Sequence, residues 1–126
     1  MNPAVGTHRE PGWTPDLTPG DAIEVLGQVQ GQLFELKALV RGAPAVPDEN
    51  LLDRIAHCAH QISLATETRF LSIAKKAREV AWVADEIVVG YGGSDLAHLK
   101  RRVIILEDHL RRAMCDAIER CRHPAG

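Results

Sequence analysis

Residues 48–89, DENLLDRIAHCAHQISLATETRFLSIAKKAREVAWVADEIVV, form a long stretch without proline or glycine. One stripe of positions runs through it, and ten of the eleven are apolar: Leu52, Ile55, Ala59, Ile62, Thr66, Phe70, Ile73, Ala77, Val80, Ala84 and Ile87. The ten steps between them cover 35 residues, an average of 3.5. This is the repeat of a helix that packs against other helices. The stretch therefore predicts an all-α protein.

The length of this stretch bears on assembly. A continuous helix over 48–89 would be about 63 Å long, whereas a compact chain of this size has a radius of gyration of about 14 Å. We therefore predict an antiparallel bundle of three helices with one long central helix, completed by dimerisation. The alternative is a monomeric four-helix bundle with a break near Thr66, because Thr66 and Thr68 are β-branched and lower helix propensity.

A shorter helix is predicted over residues 19–41, before the central one. Thr18 can cap its start, a proline occupies its first position, and Gly42 can end it in the left-handed conformation. Gly27 and Gly31 lie four residues apart within it, a spacing that permits a close helix contact. Its apolar seam consists of Ala22, Leu26, Val29, Leu33, Leu36 and Val40.

A third helix is predicted over residues 94–122, after a glycine-rich break at 90–93. Ser94 is its expected N-cap, and residues 124–126 end the chain. Its apolar seam consists of Leu96, Leu99, Val103, Leu106, Leu110, Ala113, Ala117 and Cys121. With the loop at 43–47, these segments define a single helical domain over 18–123.

Residues 1–17 hold three prolines and two glycines and show no helical period. This composition predicts a flexible N-terminal tail. Trp13 is the exception in the tail, because so large an apolar side chain is expected either to dock on the bundle or to meet a partner.

A second apolar edge lies off the main stripe of the central segment and is interrupted by Lys75 and Arg78. Packing on another helix of the same chain would explain it. The alternative is a dimer or partner interface, in which tryptophan is a frequent anchor. The residues of this predicted interface are Leu64, Leu71, Trp82 and Val89.

Composition narrows the class of protein. The 126 residues include 15 basic and 17 acidic side chains, a formal net charge of −2, so the overall charge does not favour a nucleic-acid partner. No apolar window is long enough to span a membrane. Three cysteines without a Cys-x-x-Cys pair favour a cytoplasmic protein with reduced thiols.

The densest cluster of metal-ligating residue types is His57, Cys58 and His60. Two imidazoles three residues apart are neighbours on one helical face and can hold a zinc or copper ion, but a complete zinc site needs three or four ligands. The missing ligands would have to come from the third predicted helix, which carries His109, Cys115 and Cys121.

No catalytic constellation is present in the sequence, and no cofactor is expected. The function that the pattern favours is a non-enzymatic helical interaction or adaptor protein that self-associates. One alternative is a small metal-binding or metal-sensing protein that uses His57 and His60. Another is an accessory nucleic-acid binder that uses the basic residues 100–102 and 111–112 of the third predicted helix, although acidic residues alternate with them.

Overall fold

The computed structural model describes residues 13–14, 17–90 and 95–122, and these residues form helices without any strand. The four helices are α1 (Pro19–Arg41), α2 (Glu49–Thr66), α3 (Leu71–Val89) and α4 (Leu96–Arg122). Each helix packs against two others, in the cyclic order α1, α2, α3, α4 and back to α1. The chain is therefore an antiparallel up-and-down bundle in which α1 lies diagonally across from α3. The predicted all-α bundle is confirmed.

The predicted continuous helix over 48–89 is wrong, and the four helices with a break near Thr66 that the alternative predicted are confirmed. The Thr66 hydroxyl donates to the carbonyl of Ile62 at 2.8 Å, and the Phe70 N–H donates to the carbonyl of Thr66 at 2.8 Å. Phe70 then leaves the helical conformation, with φ −132° and ψ 67°, and its side chain is fully buried. Burial of this ring at the end of the bundle offsets the loss of helix at the turn.

The apolar stripe nevertheless forms the buried face of both α2 and α3. Its positions from Leu52 to Ala84 are all buried, and only Ile87 is partly buried. A 3.5-residue repeat thus identifies the face that packs inwards, whether the helix continues or folds back. Because the continuous helix does not form, helix length no longer favours a dimer.

Two residues of the predicted tail, Trp13 and Leu17, belong to the core. Trp13 is 7% exposed, and its indole N–H donates to the carbonyl of Leu17 at 3.1 Å. The backbone N–H of Thr14 donates to the carbonyl of Arg69 in the α2–α3 turn at 3.2 Å. The segment therefore covers that turn. Residues 1–12 of the predicted tail lie outside the described residues.

Side-chain caps start three of the helices. The hydroxyl of Thr18 accepts from the N–H of Asp21 at 3.1 Å, as predicted for α1. A carboxylate oxygen of Asp48 accepts from the N–H of Leu51 at 2.7 Å. At α4 a carboxylate oxygen of Asp95 accepts from the N–H of His98 at 2.9 Å. The cap of α4 is thus Asp95, whereas the predicted cap Ser94 lies outside the described residues.

The glycines depart from two expectations. Gly42 ends α1 at φ −81°, and the left-handed residue is instead Gly90 at φ 82° after α3. Gly27 and Gly31 are exposed, and a Cβ added to either would meet nothing within 4 Å. The predicted close helix contact at this pair therefore does not form within the chain.

Candidate association surface

The outward face of α3 carries three large apolar side chains of the predicted interface. Leu71 is 56% exposed, while Trp82 and Val89 are each 60% exposed. They lie on the opposite side of the helix from the core residues Ile73 and Val80. Packing on another described helix, the simpler explanation for this edge, leaves these three side chains more than half exposed.

Leu64 belongs to a different helix from the other three. It is 47% exposed near the end of α2, and the turn at 67–70 separates it from Leu71. Its heptad spacing from Leu71 predicted one shared helical face, which the break removes. The helical repeat of α3 thus places Leu71, Trp82 and Val89 on one face. It does not determine the position of Leu64, which lies on α2.

Charged residues alternate with the apolar ones on this face. Lys75 is exposed and forms no ion pair with any described residue, whereas Arg78 lies 3.6 Å from the carboxylate of Glu67. Both partners of that pair are about half exposed, so it contributes little to stability. The face therefore combines apolar anchors with exposed charges, as the surface of an interface does.

A second surface feature is a groove of about 740 Å³ between α1 and α2. Phe34, Leu39, His57 and Cys58 are among its lining residues, and Phe34 is 74% exposed. The side-chain oxygen of Gln32, which also lines the groove, is buried and has no hydrogen-bond partner among the described residues. Phe34 was not among the predicted interface residues, although its position off the apolar seam of the first predicted helix could have identified it.

Cys58 is half-buried in the wall of this groove. Its thiol donates to the carbonyl of Gln32 at 3.4 Å. Burial raises the pKa of this thiol above its ordinary value of 9.0, and the negative charge of Glu35 raises it further. A thiol held in its protonated form is a poor nucleophile and a poor metal ligand.

The geometry gives the candidate metal ligands only a partial set. His57 and His60 are both exposed on α2. Cys115 and Cys121 are exposed on α4, which lies diagonally across the bundle from α2, so they do not complete a site with the two histidines. Within the described ranges no three His, Cys, Asp or Glu side chains are grouped so as to hold an ion. The remaining candidate on α4, His109, is instead hydrogen-bonded through Nδ1 to the hydroxyl of Ser72 on α3 at 2.7 Å.

Three of the five basic residues in the two clusters of α4 form ion pairs with neighbouring carboxylates. Arg111 and Arg112 lie 2.6 Å and 2.8 Å from the two carboxylate oxygens of Asp108. Arg102 forms an ion pair with Glu79 of α3 at 3.2 Å. These contacts leave a surface of mixed sign rather than the basic stripe that tracks a phosphate backbone.

None of the four described helices combines the length and the apolar character required to cross a bilayer. No family model, curated protein or solved structure matches the chain.

Proposed function

We propose that this chain is a non-enzymatic helical interaction protein that forms a homodimer through the outward face of α3. The observation that carries the proposal is Trp82, which is 60% exposed between Leu71 and Val89 on a single helical face. Tryptophan is among the residues that contribute most to binding at protein interfaces. A monomer gains nothing by exposing it there.

Energetics support association through this face. Full burial of a large apolar side chain contributes about 1.5–3 kcal/mol. A symmetric dimer would bury Leu71, Trp82 and Val89 from both copies. Six such side chains can exceed the entropy cost of association, which is on the order of 4–15 kcal/mol.

As an adaptor, the dimer would bind its partner through the side of the bundle that carries α1. Because α1 lies diagonally across from α3, pairing through α3 leaves the α1–α2 groove accessible in each copy. The dimer would then display two copies of one groove, and two linked sites raise the avidity for a partner that can engage both.

The location that we propose is the cytoplasm. None of the cysteines is in a disulfide, and Cys115 and Cys121 are exposed. A reducing compartment keeps such thiols from cross-linking the chain.

The test is the molar mass in solution, measured by sedimentation equilibrium at micromolar concentrations in reducing buffer. We expect twice the chain mass of 13.8 kDa for the unmodified protein. Trp82→Asp and Leu71→Asp should each give the monomer mass while circular dichroism still shows helix. Phe34→Asp is the matched control, because it places the same charge on an even more exposed position of α1 and should leave the dimer intact.

Two results would overturn the proposal. One is a monomer mass for the unmodified protein throughout the micromolar range. The other is a dimer that Phe34→Asp dissociates and that both α3 variants leave unchanged, which would move the interface to α1.

A further inference from the structure

The exposed side of α3 has a heptad pattern of its own, which we name the outer seam. Its six positions follow one another at steps of 4, 3, 4, 3 and 4, and all six are exposed: Leu71, Lys75, Arg78, Trp82, Asp85 and Val89. Steps of this kind keep residues on one line along a helix that packs against a second helix. The bundle packs the opposite face of α3 against α2 and α4, so none of the four described helices covers the outer seam.

The order of residue types along the outer seam is symmetric about the level of Val80. Leu71 and Val89 are equally far from that level, Lys75 and Asp85 are the next equidistant pair, and Arg78 and Trp82 the innermost. Each position thus has a chemically complementary counterpart at the same distance on the other side. A two-fold axis at this level would bring each residue of one antiparallel copy against the counterpart in the other.

We infer that the partner of the outer seam is α3 of a second copy of this chain, packed antiparallel about a two-fold axis at the level of Val80. This inference rests on the proposed homodimer and specifies its register and direction. Leu71 of each copy would pack against Val89 of the other, at the two ends of the contact.

Charge complementarity carries the inference. Lys75 and Asp85 are both exposed, and neither forms an ion pair with a described residue. In the antiparallel register, Lys75 of each copy meets Asp85 of the other, which gives two identical ion pairs. In a parallel pairing Lys75 would face Lys75 and Asp85 would face Asp85, and like charges in contact oppose association.

The innermost pair adds a second kind of contact. The guanidinium of Arg78 would lie against the indole of Trp82 of the other copy, and this cation–π contact would occur twice. The ion pair between Arg78 and Glu67 at 3.6 Å is compatible with this arrangement, because a guanidinium can stack through its flat face while its edge is paired.

The experiment reverses the charges and then mixes the variants. In Lys75→Glu both ion pairs become repulsions between two carboxylates, and in Asp85→Lys both become repulsions between two ammonium groups. Each variant alone should dimerise at least about tenfold more weakly, since each reversal turns two attractions into two repulsions. In an equimolar mixture the heterodimer has two attractive pairs, the original Lys75–Asp85 pair and a charge-exchanged pair between the two substituted residues, so we expect dimerisation to return towards the unmodified level.

Circular dichroism of each variant alone checks that it is folded, which the exposed positions of both changes favour. The double variant Lys75→Glu/Asp85→Lys should also dimerise on its own, because its pairs are simply exchanged. An unmodified chain that stays monomeric would overturn the proposed homodimer itself. An unmodified dimer that survives both single changes, or is not restored in the double variant, would leave the homodimer standing and overturn the antiparallel register.

Discussion

The indole of Trp13 lies 6.3 Å from the phenyl ring of Phe70, measured between ring centroids, with the ring planes tilted by 57°. The guanidinium of Arg120, at the end of α4, lies 5.9 Å from the centroid of the same indole. One side chain from before the first helix thus contacts both the α2–α3 turn and the last turn of the bundle. It stabilises the turn at which the central stretch folds back.

Replacing Trp13 by alanine should therefore cost stability. Trp→Ala at a buried site typically lowers the free energy of unfolding by about 3–5 kcal/mol, and we expect about 3 kcal/mol here because the segment lies at an edge of the core. Urea unfolding of dilute protein, below the concentration at which it dimerises, measures this. Trp82→Ala is the matched control and should change the monomer by less than about 1 kcal/mol, since surface changes rarely cost more.

The two tryptophans should also report on different events. In Trp82→Phe the remaining Trp13 should be shielded from acrylamide quenching at every protein concentration. In Trp13→Phe the remaining Trp82 should be strongly quenched in dilute solution and become shielded as the concentration rises, because the dimer covers it. Equal shielding of Trp82 at all concentrations would contradict its exposure in the monomer.

Two glycine substitutions should have opposite effects. Gly31→Ala should stabilise the protein by up to about 1 kcal/mol, since the added methyl group enters open space on a helix. Gly90→Ala should destabilise it by about 1 kcal/mol or more, because φ 82° is a left-handed conformation that alanine disfavours. Thermal unfolding compares the two. If Gly31→Ala instead weakened the dimer, the glycine face of α1 would be part of the interface.

Cys58 should differ from the other two thiols in its reactivity. Cys115 and Cys121 are exposed and should be alkylated rapidly near neutral pH, whereas labelling of Cys58 should be slow and require a higher pH. Mass spectrometry of peptides after timed labelling distinguishes the three. Labelling of Cys58 as fast as that of Cys115 would show that burial does not raise its pKa in solution.

The raised pKa of Cys58 also implies a pH-dependent stability. The folded chain holds the thiol proton of Cys58 more tightly than the unfolded chain does. The contribution of this difference to the free energy of unfolding is therefore complete below the ordinary thiol pKa of 9.0. It is lost as the pH rises through the raised value. Cys58→Ser keeps a hydroxyl donor in place and removes the titration, so its stability should fall less over the same alkaline range.

The sequence predicted the helix faces better than it predicted where the chain turns. The stripe through Ile55, Ile62, Ala77 and Val80 identifies the core, because a buried face must be apolar at the helical period. Nothing local separates a straight helix from a hairpin, since both bury these positions. The break depends on Phe70, whose ring packs beside Trp13, a residue far away in the sequence. Such tertiary contacts override weak local propensity.

The candidate surface on α3 could be predicted because it depends only on the helical repeat within one helix. The break could not, because it depends on contacts between residues far apart in the sequence. Trp82 and Val89 lie on α3 itself, so their shared face follows from the helical repeat. Leu64 was placed with them only by assuming that the helix continued past Thr66. Phe34 and the groove beside it depend on how α1 packs against α2, which spacing within one helix does not determine.

The turn between α2 and α3 also makes domain swapping between two chains possible. Glu67 has nearly helical angles, φ −64° and ψ −28°, and the apolar stripe stays in phase on both sides of Phe70. If these few residues became helical, α2 and α3 would join into one long helix. The α3–α4 half of one chain would then pack on the α1–α2 half of another chain through the same core contacts. The hydrogen bond from Thr14 to Arg69 secures this hinge. Loss of the Trp13 segment should therefore favour domain-swapped dimers that form during refolding at high concentration and separate only by global unfolding.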